Sequence, residues 1–114
     1  MPYQGNLPRA RTVKSLDAVT AAGNGTAFGT LGNKFLSYQY KTTGSPTGVQ
    51  VHLEVCIDTT QGFVTAPDDA ATMTDTSSGI YTGGIHVVRY ARLVVDTLSG
   101  GTAPTITGYI HMQE

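Results

Sequence analysis

Three histidines, one cysteine and a few clustered hydroxyl and carboxyl residues are the side chains of this sequence whose types could carry chemistry. A zinc site would need His52, His86 and His111 to converge, yet they fall on three separate strand-like stretches, and no carboxylate or thiol recurs at ligand spacing beside more than one of them. His52 and Cys56 are four residues apart and would share one face of a strand, but roughly 13 Å of rise separates them, too far for joint ligation. The histidines therefore read as surface or interface residues on polar faces, with no metal and no cofactor. Cys56 has no basic neighbour in sequence and no helix N-terminus to activate it, so its thiol reads as packing.

The remaining candidates are no stronger. Ser77-Ser78-Gly79 and Asp68-Asp69 read as loops, and neither a nucleophile elbow nor a paired-acid motif accompanies them. Asp58-Thr59-Thr60 and Asp68-Asp69 offer oxygens to calcium, but the fold would have to gather about six to eight of them. The glycine-bearing run from Gly25 to Lys34 lacks the Gly-Lys-Ser/Thr end of a phosphate loop. Nothing here assembles a catalytic constellation, and no enzyme is expected.

The elements that would position these residues are strands. Val49, Val51, Leu53, Val55 and Ile57 alternate with Gln50, His52, Glu54, Cys56 and Asp58, which sends the first set to a core and the second to a polar face. Leu36, Tyr38 and Tyr40 alternate in the same way, and residues 43 to 48 between the two runs read as a hairpin loop. Ile85 to Asp96 is rich in β-branched residues and reads as one central strand; residues 98 to 104 break it, and Thr105 to Met112 resumes alternation as its hairpin partner. Weaker strands are expected at Leu16 to Ala22, Thr26 to Leu31, Phe63-Val64 and Ile80-Tyr81. The stretch Asp68 to Met73 allows one helical turn at most. The sum is an all-β chain, an antiparallel β-sandwich or jelly roll of about seven or eight strands.

The chain has 114 residues, 39% hydrophobic and 13% charged, with no Trp. That length suits one domain with a thin core. A net charge of −1 excludes a globally basic nucleic-acid binder. One cysteine excludes an intrachain disulfide and fits a reducing compartment. The N-terminus carries no apolar signal segment, and no stretch approaches the roughly 20 apolar residues of a membrane span. Arg9, Arg11 and Lys14 precede the first acid, Asp17, so residues 1 to 16 carry a side-chain charge of +3. With Pro2, Gly5, Asn6 and Pro8 beside them, residues 1 to 14 read as an extended arm and residues 15 to 114 as the sandwich domain. Arg89 and Arg92, three apart on the supposed central strand, should point to opposite faces, with the more buried one paired.

Two stretches carry a further pattern. Gly48-Val49-Gln50-Val51-His52-Leu53-Glu54-Val55-Cys56-Ile57-Asp58 and the run from Val88-Arg89-Tyr90-Ala91-Arg92 through Gly100-Gly101 to Thr107 resemble strands of small virion proteins of tailed bacteriophages and prophages. Together they cover somewhat over a quarter of the chain. Cys56 stands where that pattern has Ser, and Thr59-Thr60 replaces its Asp-Gly turn and following Trp. The resemblance implies a capsid decoration or cement protein without catalysis. It would contact the major capsid protein or other virion proteins and reside in the virion after assembly in the host cytoplasm. It could form a homo-oligomer such as a trimer, and would bind neither nucleic acid nor membrane. In that setting Arg9, Arg11 and Lys14 are the capsid-contact residues. The Arg-Tyr-x-Arg strand also occurs in discoidin-like jelly rolls, so the alternative is a discoidin-like carbohydrate-binding module or a tail- or fibre-associated adhesion protein.

Overall fold

In a computed structural model, which describes residues 10–67 and 72–114, the chain is an antiparallel β-sandwich. Its strands are β1 (Arg11–Val19), β2 (Gly23–Asn24), β3 (Phe28–Gly29), β4 (Phe35–Thr43), β5 (Gly48–Cys56), β6 (Val64–Thr65), β7 (Thr72–Met73), β8 (Ser78–Ile85), β9 (Tyr90–Ser99) and β10 (Thr105–Gln113). The first sheet has the order β1-β10-β4-β8 and the second β2-β9-β5-β6, with β3 also pairing β9 and β7 also pairing β5. The inner faces are the alternating sets of the long strands. Leu16, Leu36, Tyr38, Tyr40, Ile106, Ile110 and Met112 of the first sheet meet Val49, Val51, Leu53, Val55, Ala91, Leu93 and Val95 of the second. The Tyr38 hydroxyl crosses the core to donate to the Val51 carbonyl at 3.3 Å, and Tyr40 donates to the Asp75 carbonyl at 2.6 Å. Each buried phenol is thereby satisfied at its polar end.

Four expectations need correction. Residues 11 to 14 are not arm: Arg11, Thr12, Val13 and Lys14 pair with Met112, His111, Ile110 and Tyr109, and Val13 is buried. Ladder pairing along β10 outweighs the weak local strand preference of this basic stretch. Residues 1 to 9 of the expected arm lie outside the described residues, as does most of the possible helical turn at 68 to 73.

Neither supposed hairpin forms. β4 and β10 pair with each other in the first sheet, while β5 and β9 pair in the second, so residues 43 to 48 and 98 to 104 are crossings between sheets. Alternation is the same for a neighbour within a sheet and for one across the core, and about six residues suffice to bridge the roughly 10 Å between packed sheets. The two crossings lock together. The Thr102 amide donates to the Gly44 carbonyl at 2.8 Å, and a Cβ on Gly101, whose φ is 67°, would collide with that carbonyl.

Residues 85 to 96 are likewise not one strand. β8 ends at Ile85, the His86 amide donates to Lys34 and the Arg89 amide to Cys56, and β9 begins at Tyr90. The apolar run through this crossing does not mark core: Ile85 and Val87 are exposed, and only Val88 packs in part against it. Ile57 is exposed rather than core, since β5 ends one residue earlier.

Ser15 joins the sheets at the other side. Register shifts between Lys14 and Leu16 and between Leu16 and Val19 turn both Ser15 and Leu16 inward. The Ser15 hydroxyl accepts from the Leu93 amide at 2.9 Å and donates to the Thr26 carbonyl at 2.8 Å.

Candidate interaction surfaces

The polar face of β5 is not a bare solvated surface. Glu54 lies directly opposite Arg92 in the β5–β9 register, and His52 lies opposite Val94, one pleat from Asp96. The Arg92 Nε and Nη2 both donate to Glu54 Oε1, at 2.9 and 2.7 Å. Glu54 Oε2 is 3.0 Å from His52 Nε2, and His52 Nδ1 is 2.5 Å from Asp96 Oδ2. The Arg92 guanidinium also stacks 4.1 Å from the Phe63 ring centroid. The result is a continuous chain from Asp96 through His52 and Glu54 to Arg92 and Phe63 across the outer face of the second sheet.

Burial alone would lower the His52 pKa, but hydrogen bonds to Glu54 and Asp96 and the charges of both carboxylates raise it above the ordinary value. For Glu54 burial would raise the pKa, and the hydrogen bonds and charges of His52 and Arg92 lower it instead. Both ring nitrogens of His52 are engaged by carboxylate oxygens, one of Asp96 and one of Glu54. Among the described residues no group of three His, Cys, Asp or Glu side chains is placed to hold a metal ion.

The other histidines lie elsewhere. His86 is buried in the crossing after β8, its Nε2 3.2 Å from the Tyr81 hydroxyl, so it is not a surface residue. His111 sits on the outer face of the first sheet, with Nδ1 2.9 Å from the Thr12 hydroxyl. Cys56 is buried at the end of β5. Asp58 Oδ1 accepts from the Thr60 amide and hydroxyl at 2.9 and 2.8 Å and starts a short 3-10 turn, Thr59–Gln61. Ser78 and Gly79 open β8 rather than lying in a loop. Asp68 and Asp69 lie outside the described residues.

The structure separates the basic residues singled out near the N-terminus. Arg11 is half-buried and reaches the Gly29 carbonyl at 3.3 Å. Lys14 is exposed on the outer face of the first sheet, 3.6 Å from Asp17 and 5.7 Å from the centroid of Tyr109, itself 42% exposed. Arg9 lies outside the described residues. Arg89 is exposed in the crossing before β9, with its guanidinium 5.9 Å from the Tyr90 ring, at the mouth of a cavity of about 360 Å³ that Thr30, Leu31 and Val88 also line.

Sequence reasoning found Arg92 but not its setting. The i, i+2 pair His52 and Glu54 was a visible signal; Asp96 and Phe63 join only once the β5–β9 register is known. Because Arg92 is mostly buried and paired while Arg89 is exposed, Arg92→Met should destabilise the fold by about 1–3 kcal/mol and Arg89→Met by no more than about 0.5 kcal/mol. Urea unfolding of the two variants measures this. Equal small losses would mean that the Arg92–Glu54 pair is not held in solution.

No protein-family model and no curated protein matches the sequence. Among solved structures, the SPBc2 prophage-derived protein YomS superposes with a TM-score of 0.59 at 14% identity, over 93% of this chain and 96% of that one. The fold is therefore shared nearly end to end. The cyanophage Pam1 capsid asymmetric unit matches with a TM-score of 0.44 at 15% identity, over 100% of this chain and 91% of that one. The capsid of the Helicobacter pylori bacteriophage KHP30 matches with 0.38 at 19% identity, over 90% and 86%. Both of these scores are too low to support a shared fold.

Proposed function

We propose that this chain is a structural component of a phage or prophage-encoded particle, a capsid decoration or cement subunit that works through protein–protein contacts and not through catalysis. The observation that carries the proposal is the near full-length likeness of its sandwich to a prophage-derived protein. The virion-type strands in the sequence add to it. The partners are the major capsid protein or another virion protein, and the place of action is the virion. Exposed Lys14, with Arg9 ahead of it, is the basic contact to an acidic capsid surface, whereas Arg11 is committed in part to Gly29 within the fold.

A second reading has one observation in its favour. A discoidin-like sugar-binding module should present an exposed aromatic or arginine cluster at the loop end of the sandwich, and exposed Arg89 lines a cavity with half-buried Tyr90. Co-sedimentation of purified protein with emptied heads of the phage whose genome encodes it, run beside a glycan panel, separates the two. The particle reading expects saturable binding to heads that Lys14→Glu weakens severalfold, most at low ionic strength where charge attraction is least screened. Glycan binding abolished by Arg89→Ala, with no attachment to heads, would replace it with the second reading.

A further inference from the structure

Exposed apolar side chains are unevenly spread over the sandwich. Of the seven large ones exposed among the described residues, Leu31, Ile57, Val64, Ile85 and Val87 gather at the end where β5 and β8 stop and β4 and β9 begin. The opposite end, formed by residues 43 to 48 and 98 to 104, has none of the seven. Backbone hydrogen bonds tie the loops of the apolar end together: the Arg89 amide donates to the Cys56 carbonyl at 3.0 Å, and the Thr30 amide donates to the Arg89 carbonyl at 2.8 Å. Val88 stands between two cavities. On one side it lines, with Leu31, Arg89 and Tyr90, the cavity of about 360 Å³. On the other it lines, with Ile57, Asp58, Val64 and Pro67, a cavity of about 520 Å³. An apolar patch of this kind on a small protein marks a contact surface.

We propose that this end of the sandwich is an interface between two copies of the chain, docked face to face about a twofold axis that passes close to Val88. Charge and area select this occupant. A face-to-face twofold sets the two sides of the patch against each other. Arg89, exposed on one side of Val88, then meets Asp58 of the other copy, exposed on the opposite side, and the contact occurs twice. Leu31 of each copy likewise meets the cavity that Ile57 and Val64 line in the other. The patch is thus its own complement in charge, with apolar surface set against apolar surface. An unrelated partner would have to supply both an acid and a base at the same spacing. The five exposed apolar side chains together present on the order of 500 Å². A standard interface takes about 800 Å² from each partner, a little over half of it apolar, so the patch covers that need. This inference does not depend on the particle reading.

Sedimentation velocity of the full chain over a range of concentrations, with variants of the patch, tests it. The wild type should dimerise. Leu31→Asp should weaken the dimer about tenfold or more, with thermal unfolding unchanged at concentrations too low for dimers, because Leu31 is 67% exposed and Asp tolerates its left-handed φ of 54°. Arg89→Glu and Asp58→Lys should each weaken the dimer by a similar factor, since each sets like charges together twice across the axis. An equimolar mixture of those two variants should dimerise again, because every charge pair across the axis is then opposite in sign. A wild type that is monomeric at every concentration would overturn the proposal, as would a dimer indifferent to Leu31→Asp or a mixture that stays monomeric. A monomer whose attachment to heads is lost in Leu31→Asp would assign this end to a different virion chain and reject the second copy.

Discussion

Leu93→Ala should remove about 2–5 kcal/mol of stability, toward the upper part of that range, out of the roughly 5–15 kcal/mol expected for a domain of this size. Leu93 is fully buried in the middle of β9, directly opposite Leu53. Across the core it fills space that Gly108 of β10 leaves open: a Cβ on that glycine would lie 2.8 Å from Leu93 Cδ1. The walls of the resulting cavity would include the backbone of a strand bonded on both sides, β10 between β1 and β4, which cannot move inward to refill it. Chemical denaturation compared with the wild type measures the loss. A cost below about 1 kcal/mol would mean that the sheets do not meet at this point.

The second large effect is electrostatic and depends on pH. Glu54→Gln should cost about 2–3 kcal/mol near pH 5–6, because it removes the one carboxylate that partners both Arg92 and His52 inside a mostly buried chain. The raised His52 pKa contributes stability that is complete below its unfolded value of about 6.5 and is lost as pH rises through the folded value. The lowered Glu54 pKa contributes stability present above its unfolded value of about 4.5 and lost as pH falls through the folded value. The difference between wild type and variant should therefore be largest in the window between those unfolded values. It should shrink toward alkaline pH as His52 loses its proton, and toward strong acid as Glu54 gains one. Thermal unfolding of both proteins from about pH 3 to pH 9 traces the curve. A difference that is flat across this range would show that Glu54 does not partner His52.

Much of the architecture was legible because pleated alternation survives into the fold. The core sets of β4, β5 and β10 were assigned from period two alone, apart from Ile57 at the frayed end of its strand. What alternation does not encode is which strand lies beside which. Leu36, Tyr38 and Tyr40 show the same pattern whether β5 is their neighbour within a sheet or faces them across a core. The glycine-bearing connections between strands then looked like hairpins, when they are in fact crossings. A related limit hid the break at His86 to Arg89, where the apolar run continues although Ile85 and Val87 are exposed. Val13 shows a different limit: a single apolar residue in a basic, proline-flanked stretch gave no local reason for a strand, and only the neighbouring β10 supplies one. The charged chain on the second sheet depends on this neighbour information too. His52 and Glu54 stood out on a polar face, but Asp96, forty-four residues from His52, joins them only through register.

The central claim is that this sandwich is built into a phage particle, and the most direct measurement is electron cryomicroscopy of particles purified from the phage or induced prophage that encodes it, with mass spectrometry of the same preparation. The account predicts the chain among the particle proteins in a fixed copy ratio to the major capsid protein, and density for a two-sheet sandwich seated on the shell with Lys14 turned toward its neighbour. A chain expressed in the lysate but absent from the purified particles would contradict it.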